Sequence, residues 1–327
     1  MLAVHLENGC VEVRDIPAPA RPAGYALIRM LCAGICNTDL ELKRGYYGFA
    51  GTPGHEFVGE VVQAGRSELI GRRVVGEINL SCGHCDWCRR DMGRHCPHRD
   101  VLGIVRHPGA FSELLTLPES NLHIVPDEIP TERAVFTEPL AAACEILDQA
   151  ALPCAATIAV LGDGKLGLLI GFVLNAHGYR VHLYGRHPEK LRLAAAAGIR
   201  TIAVNEAPDN AWPVGEYQWV VEATGSSQGL KQAVEIVRPR GVVILKSTVH
   251  GTVGFDTAPV IVNELTLVGS RCGRFEPALH LLEHDLIPVE SMISVRRPLS
   301  EAPEAFEQAA RKGVLKVLLE NHGRPSR

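Results

Sequence analysis

Thr157-Ile158-Ala159-Val160-Leu161-Gly162-Asp163-Gly164-Lys165-Leu166-Gly167 is an apolar run that ends in G-x-G-x-x-G, and an apolar segment follows it as far as Gly178. Five apolar or β-branched residues ahead of a glycine turn read as a buried strand. The longer segment from Gly164 to Gly178 reads as a helix. In that setting each glycine has a task. The first permits the tight turn, the second lets the backbone approach a pyrophosphate, and the third allows close packing of helix on sheet, while the helix N-terminus attracts the phosphates. The segment from Gly162 through Asp163, Gly164, Lys165 and Leu166 to Gly167 therefore predicts a dinucleotide site.

Working outward toward the C-terminus, strands and helices alternate: YRVHLY, PEKLRLAAAAG, TIAV, QWVVEATG, GVVILKS and ELTLVGS. Such alternation implies a parallel sheet. Toward the N-terminus, from Ala3 to about Ile124, the chain reads instead as short strands (AVHLE, VEVRDI, YALIRMLCAG, HEFVGEVV, RRVVGEI, FSELLTL and NLHIV) separated by Gly, Pro and Asn. That pattern predicts an all-β, barrel-like domain. Near Arg274 the alternation stops, and the tail reads as a strand, a helix and a strand. The fold class is α/β.

The end of the second strand of the parallel sheet bears on the cofactor. A site for NAD usually has an acid there to hold the ribose hydroxyls. Here VHLY runs into Gly185-Arg186-His187-Pro188-Glu189-Lys190, with glycine in place of the acid and a guanidinium next to it. Arg186 can pair with a 2'-phosphate through two hydrogen bonds, helped by His187 or Lys190, which favours NADP over NAD.

Cys82, Cys85, Cys88 and Cys96 form a C-x2-C-x2-C-x7-C run rich in turn residues. Clustered thiols at this spacing read as a tetrahedral zinc site rather than a disulfide framework, and four thiolates leave no coordination position open, so this zinc is structural. Arg89, Arg90, Arg94 and Arg99 crowd the same lobe, but Asp86, Asp91 and Asp100 are interspersed and make it a mixed-charge surface.

Composition narrows the class. With 327 residues, 46% of them hydrophobic, and 32 glycines, the chain suits two globular domains. A net charge of -4 argues against a general nucleic-acid binder. The N-terminus alternates like a strand and lacks the form of a signal peptide, and no apolar run reaches membrane-spanning length. Together with the free-thiol usage this leads to a cytoplasmic expectation, with no membrane and no nucleic-acid partner.

Two further segments, Gly34-Ile35-Cys36-Asn37-Thr38-Asp39 and Gly54-His55-Glu56-Phe57-Val58-Gly59-Glu60-Val61, stand in order with the cysteine lobe, Thr137-Glu138-Pro139-Leu140-Ala141 and the glycine fingerprint. In this combination the chain closely resembles the zinc-dependent medium-chain dehydrogenases/reductases, over essentially its whole length. The resemblance implies a GroES-like β-barrel catalytic domain over 1-139 and 274-327 and a doubly wound Rossmann domain over 140-273. It implies a catalytic zinc held by Cys36, His55 and Glu138, with Glu56 able to approach or replace a ligand, Asp39 orienting the His55 ring and Thr38 relaying the alcohol proton. Two zinc ions per chain and an oligomer, dimer or tetramer, belong to the same expectation. Thr224 is counted with the cofactor-binding residues.

Some positions depart from relatives. Asn37 stands where some have a basic residue, and Leu40-Glu41 where some alcohol dehydrogenases have a relay histidine. A glutamate at position 138 is similar to the polyol, sugar and threonine dehydrogenase branches and tilts the substrate toward a polar secondary alcohol. Tyr46, Tyr47 and Phe49 fall where relatives build a substrate pocket, and they suit an apolar alcohol equally well. The leading expectation is an NADP-preferring, zinc-dependent alcohol oxidoreductase. The alternatives are a reductase of apolar aldehydes or ketones and a non-catalytic zinc and nucleotide-binding redox sensor.

Overall fold

The computed structural model describes residues 1–204, 212–248 and 254–322. The chain divides into two compact units: Met1–Glu138 with Phe275–His284 and Met292–Arg327, and Pro139–Arg274 with Asp285–Ser291.

The first unit is built on the strand Tyr25–Gly34, in which Ala26, Ile28, Met30 and Cys32 alternate into the core. A strand with one buried face needs neighbours that keep its register. Glu56–Gln63 and Leu114–Pro118 pair with it antiparallel, and so does the near-terminal strand Lys316–Glu320. Ile293–Pro298, Arg73–Gly76 and Leu122–Ile124 extend this sheet to seven strands. The pairing of Leu318 with Gly34 brings the end of the chain beside the Gly34-Ile35-Cys36 turn. Asn79–Leu80, Asp100–Leu102 and Arg106–His107 form a smaller sheet at either side of the cysteine lobe in sequence.

This unit is not all-β. Short helices, Asn37–Lys43 and Thr131–Ala134 among them, interrupt the strands. At one or two turns each, they are too short to show a helical period against the surrounding alternation.

The second unit contains a six-stranded sheet, every pairing parallel, in the order Arg200–Ala203, Arg180–Gly185, Thr157–Leu161, Tyr217–Glu222, Val237–Leu245, Thr266–Gly269. In sequence order this is 3-2-1-4-5-6, the doubly wound arrangement, and the strand order reverses at Thr157–Leu161. Ile158, Ala159, Val160 and Leu161 are all fully buried, as the central strand of a sheet covered on both faces must be. Leu161 pairs with Tyr184 on one side and Glu222 on the other, so these strands end level around the glycine turn. Among the described residues no helix is long and apolar enough to cross a membrane.

Candidate functional site

Cys36 is the N-cap of the Asn37–Lys43 helix, in extended conformation with φ -92 and ψ 163. Asp39, at the third helical position, accepts the Cys36 backbone N–H at 2.8 Å, which closes the turn in the manner of a capping box. Glu56, the first residue of its strand, lies opposite Gly34, so His55 and Glu56 arrive beside Cys36. The Cys36 thiol, a His55 ring nitrogen and a Glu56 carboxylate oxygen lie within 4.8 Å of one another. His55 and Glu56 are 3% and 1% exposed.

Asp39 Oδ1 lies 3.4 Å from His55 Nδ1, and both are buried atoms without a formed hydrogen bond. A carboxylate facing Nδ1 leaves Nε2 to a metal, which is how ligand histidines are commonly oriented. Burial disfavours charge on His55, but the Asp39 carboxylate, with Cys36 adding to it, outweighs this and raises the pKa well above the ordinary imidazole value. Ligation requires the neutral ring, so an entering metal must displace that proton. One thiolate, one imidazole and one carboxylate are a donor set that suits zinc with a position left open. Thr38 Oγ1 is 3.8 Å from Cys36 Sγ, within the same turn. Glu138, in the first turn of the Thr137–Gln149 helix, is not among the three converging ligand atoms.

The four lobe cysteines also converge. Cys82 Sγ is 3.9 Å from Cys88 and 3.5 Å from Cys96, while Cys85 is 3.5 Å from Cys88 and 3.7 Å from Cys96. A tetrahedron of sulfurs each about 2.3 Å from zinc has edges of about 3.8 Å, so the cage has the dimensions the ion needs. The His84 backbone N–H draws the Cys82 thiol down to about 6. Around the lobe, Arg89 pairs with Asp86, Arg106 with Asp100 and Arg94 with Glu77. Three of the basic residues of this surface are thus matched by acids.

In the second unit, Gly162 has φ 111, and a Cβ there would lie 2.5 Å from the Ala223 carbonyl oxygen. Gly164, the N-cap of the Lys165–Ala176 helix, faces open space, as close approach of a pyrophosphate requires. Asp163, 6% exposed, reaches over Gly185, and a Cβ on Gly185 would meet its Oδ2 at 2.5 Å. The same carboxylate accepts the His187 backbone N–H at 2.6 Å and faces His187 Nδ1 at 3.0 Å. A residue of the glycine loop thus fills the space where a side chain at the strand end would begin. Arg186 is exposed, Lys190 is half-buried, and Thr224 donates its hydroxyl to Glu222 at 2.6 Å.

Residues 22–127 match the alcohol dehydrogenase GroES-like domain, and residues 166–284 match the zinc-binding dehydrogenase domain, together more than half of the chain. The chain belongs to the zinc-dependent medium-chain dehydrogenases/reductases. It is 29% identical to the D-arabitol-phosphate dehydrogenase of Enterococcus avium, over 94% of this chain and 93% of that one. A zinc-binding dehydrogenase from Sinorhizobium meliloti 1021, solved bound to NADP, shares 29% identity and a TM-score of 0.87, covering 98% of each chain. A short chain alcohol dehydrogenase, rspB, from Escherichia coli CFT073, solved with NADH, shares 25% identity and a TM-score of 0.88 over 98% of this chain and 99% of that one.

One residue of this dehydrogenase escaped the sequence reading. Lys316, 1% exposed, donates to Glu56 Oε2, with its Nζ 5.5 Å from the centre of the Phe136 ring. Burial alone would lower its pKa, but Glu56, followed by Cys36 and Glu138, outweighs this and raises it. Its signal was a lone lysine inside the apolar run Val314-Leu315-Lys316-Val317-Leu318-Leu319, since a charge that enters a core needs a partner there. In the aromatic segment Tyr47 is 66% exposed, and its ring centre lies 4.1 Å from that of Tyr46.

Proposed function

We propose that this alcohol oxidoreductase is an NADP-preferring, zinc-dependent enzyme acting on a polar secondary alcohol of the polyol or sugar type. The observation that carries the reading is the convergence of Cys36, His55 and Glu56 in a chain that also holds the dinucleotide fingerprint. A sensor or binding module has no use for an incompletely closed set of thiolate, imidazole and carboxylate.

Cys36 and His55 would hold the catalytic zinc with Glu56 beside them and Glu138 as the further carboxylate, and the lobe cysteines would hold a second, structural zinc. When bound, zinc supplies Lewis acidity to an alcohol or carbonyl oxygen, and the nicotinamide accepts or returns the hydride. The chain's own groups do the rest. Asp39 fixes the His55 ring. Lys316 donates to Glu56 and holds its carboxylate in place beside Cys36 and His55. Thr38, beside Cys36, takes the proton of the substrate hydroxyl and passes it on.

Arg186 pairs with the 2'-phosphate. The nearby Asp163 is offset by the two N–H groups of His187 turned toward it, and Gly185 brings no acid of its own. The NADP-bound relative supports this choice, and the NADH-bound one makes it worth testing. The polyol-type substrate is supported by the arabitol-phosphate dehydrogenase relative together with the glutamate at position 138.

The test is NADPH absorbance change with the zinc-loaded enzyme across polyols, sugar alcohols and apolar alcohols, repeated with NADH. Turnover of polyols with NADP is expected. Preference for apolar alcohols would replace the substrate, and absence of turnover across the panel would leave a binding protein.

A further inference from the structure

The helix Phe275–Glu283 is anchored by Phe275, Ala278, Leu279, Leu281 and Leu282, all buried. Its opposite face ends in His280, Glu283 and His284, all exposed. Positions i, i+3 and i+4 stand over one another on a helix, so the three side chains share one patch. One ligand atom from each lies within 4.8 Å of the others, and the two imidazole rings are 4.2 Å apart between centres.

The His284 ring is prepared as a ligand. His284 Nδ1 is 3.0 Å from the His280 carbonyl oxygen. A carbonyl can only accept, so Nδ1 carries the hydrogen and the Nε2 of the neutral ring keeps its lone pair. This is the backbone support that metal-binding histidines commonly have. Among the described residues, neither the His280 ring nor the Glu283 carboxylate has a hydrogen bond or ion pair. The helix ends here, and its C-terminal carbonyls add a partial negative charge that favours a cation. One turn earlier Glu276 lies 3.7 Å from His123, so the adjoining surface is also acidic and imidazole-rich.

We propose that this helix end is a further metal site, separate from the two zinc sites, that takes a divalent transition ion through His280, His284 and Glu283. Two imidazoles and one carboxylate suit Zn2+ or Ni2+ and exclude neither water nor an external ligand from the remaining positions. The hard ions Mg2+ and Ca2+ prefer all-oxygen sites and are not expected.

The test titrates the zinc-loaded protein, freed of excess metal, with Ni2+ in a calorimeter, alongside His280→Asn and His284→Asn. Both histidines are exposed, so the variants should melt at the wild-type temperature without Ni2+. The wild type should take up one equivalent more than either variant, and Ni2+ should raise the melting temperature of the wild type alone. Exchange at the zinc sites is common to all three proteins and cancels in the difference. Equal uptake by wild type and variants overturns the proposal, whatever the total number of zinc ions proves to be.

Discussion

At the scale of single residues, the buried pair of Lys316 and Glu56 is the most consequential contact of the candidate metal centre. Removing one partner of such a pair strands the other charge in a core, at a cost of about 3–5 kcal/mol. Lys316→Met should therefore lower the denaturant midpoint sharply, while the double variant Lys316→Met, Glu56→Gln should recover part of the loss, as chemical denaturation can measure. His55 supports a pH prediction. Its metal-free pKa is raised well above the ordinary imidazole value, so below that raised pKa a proton competes with the metal. Zinc affinity of this site should weaken as pH falls, about tenfold per unit for each proton displaced, and competition titrations with a chelator at several pH values would show it. At the nucleotide end, Arg186→Ala should lower NADP affinity by at least about tenfold, the worth of a charge-assisted hydrogen bond, and leave NAD affinity nearly unchanged. Gly185→Asp should weaken both cofactors, because its side chain collides with Asp163. Fluorescence binding titrations distinguish the two outcomes. Arg186 and Gly185 were legible because they sit at a fixed offset from the glycine turn. The Asp163 carboxylate over Gly185 was not, because the two positions are distant in sequence and adjacent only once the strands pair.

At the scale of elements, the cysteine lobe and the Cys36 turn differ in how completely they enclose a metal. Four sulfurs at tetrahedral spacing close one site, whereas Cys36, His55 and Glu56 offer one sulfur, one imidazole and one carboxylate, a set that leaves a position open. Mild chelation should remove turnover before it changes the circular dichroism spectrum, and Cys96→Ser, which alters a fully buried sulfur, should destabilise the protein even with the Cys36 site intact. Loss of secondary structure at the same chelator concentration as loss of activity would contradict the ranking. The strand at Tyr25–Gly34 was readable from its alternation, and the strand–turn–helix at Thr157–Ala176 from its apolar runs on either side of the glycine turn. The Asn37–Lys43 helix was not, because Cys36 is not a usual N-cap residue and Asp39 three residues on is the one local sign of the helix start.

At the scale of the whole molecule, each unit builds its own chemistry: a metal-binding β unit and a doubly wound nucleotide unit. Metal analysis of the purified protein should give two zinc ions per chain, one lost in Cys36→Ser, and that variant should keep its affinity for NADP because the fingerprint lies in the other unit. What the sequence by itself determined are the features written in local spacing: the glycine fingerprint, the four-cysteine lobe, the parallel α/β alternation and the order of the catalytic segments. They are local because a turn, a helix start or a metal loop is set by residues a few positions apart. What only the tertiary structure decided are the partners brought together by packing: Lys316 against Glu56, and Asp163 over Gly185. A buried charge must find its counter-charge wherever packing places one, and sheet pairing, not sequence distance, sets that place.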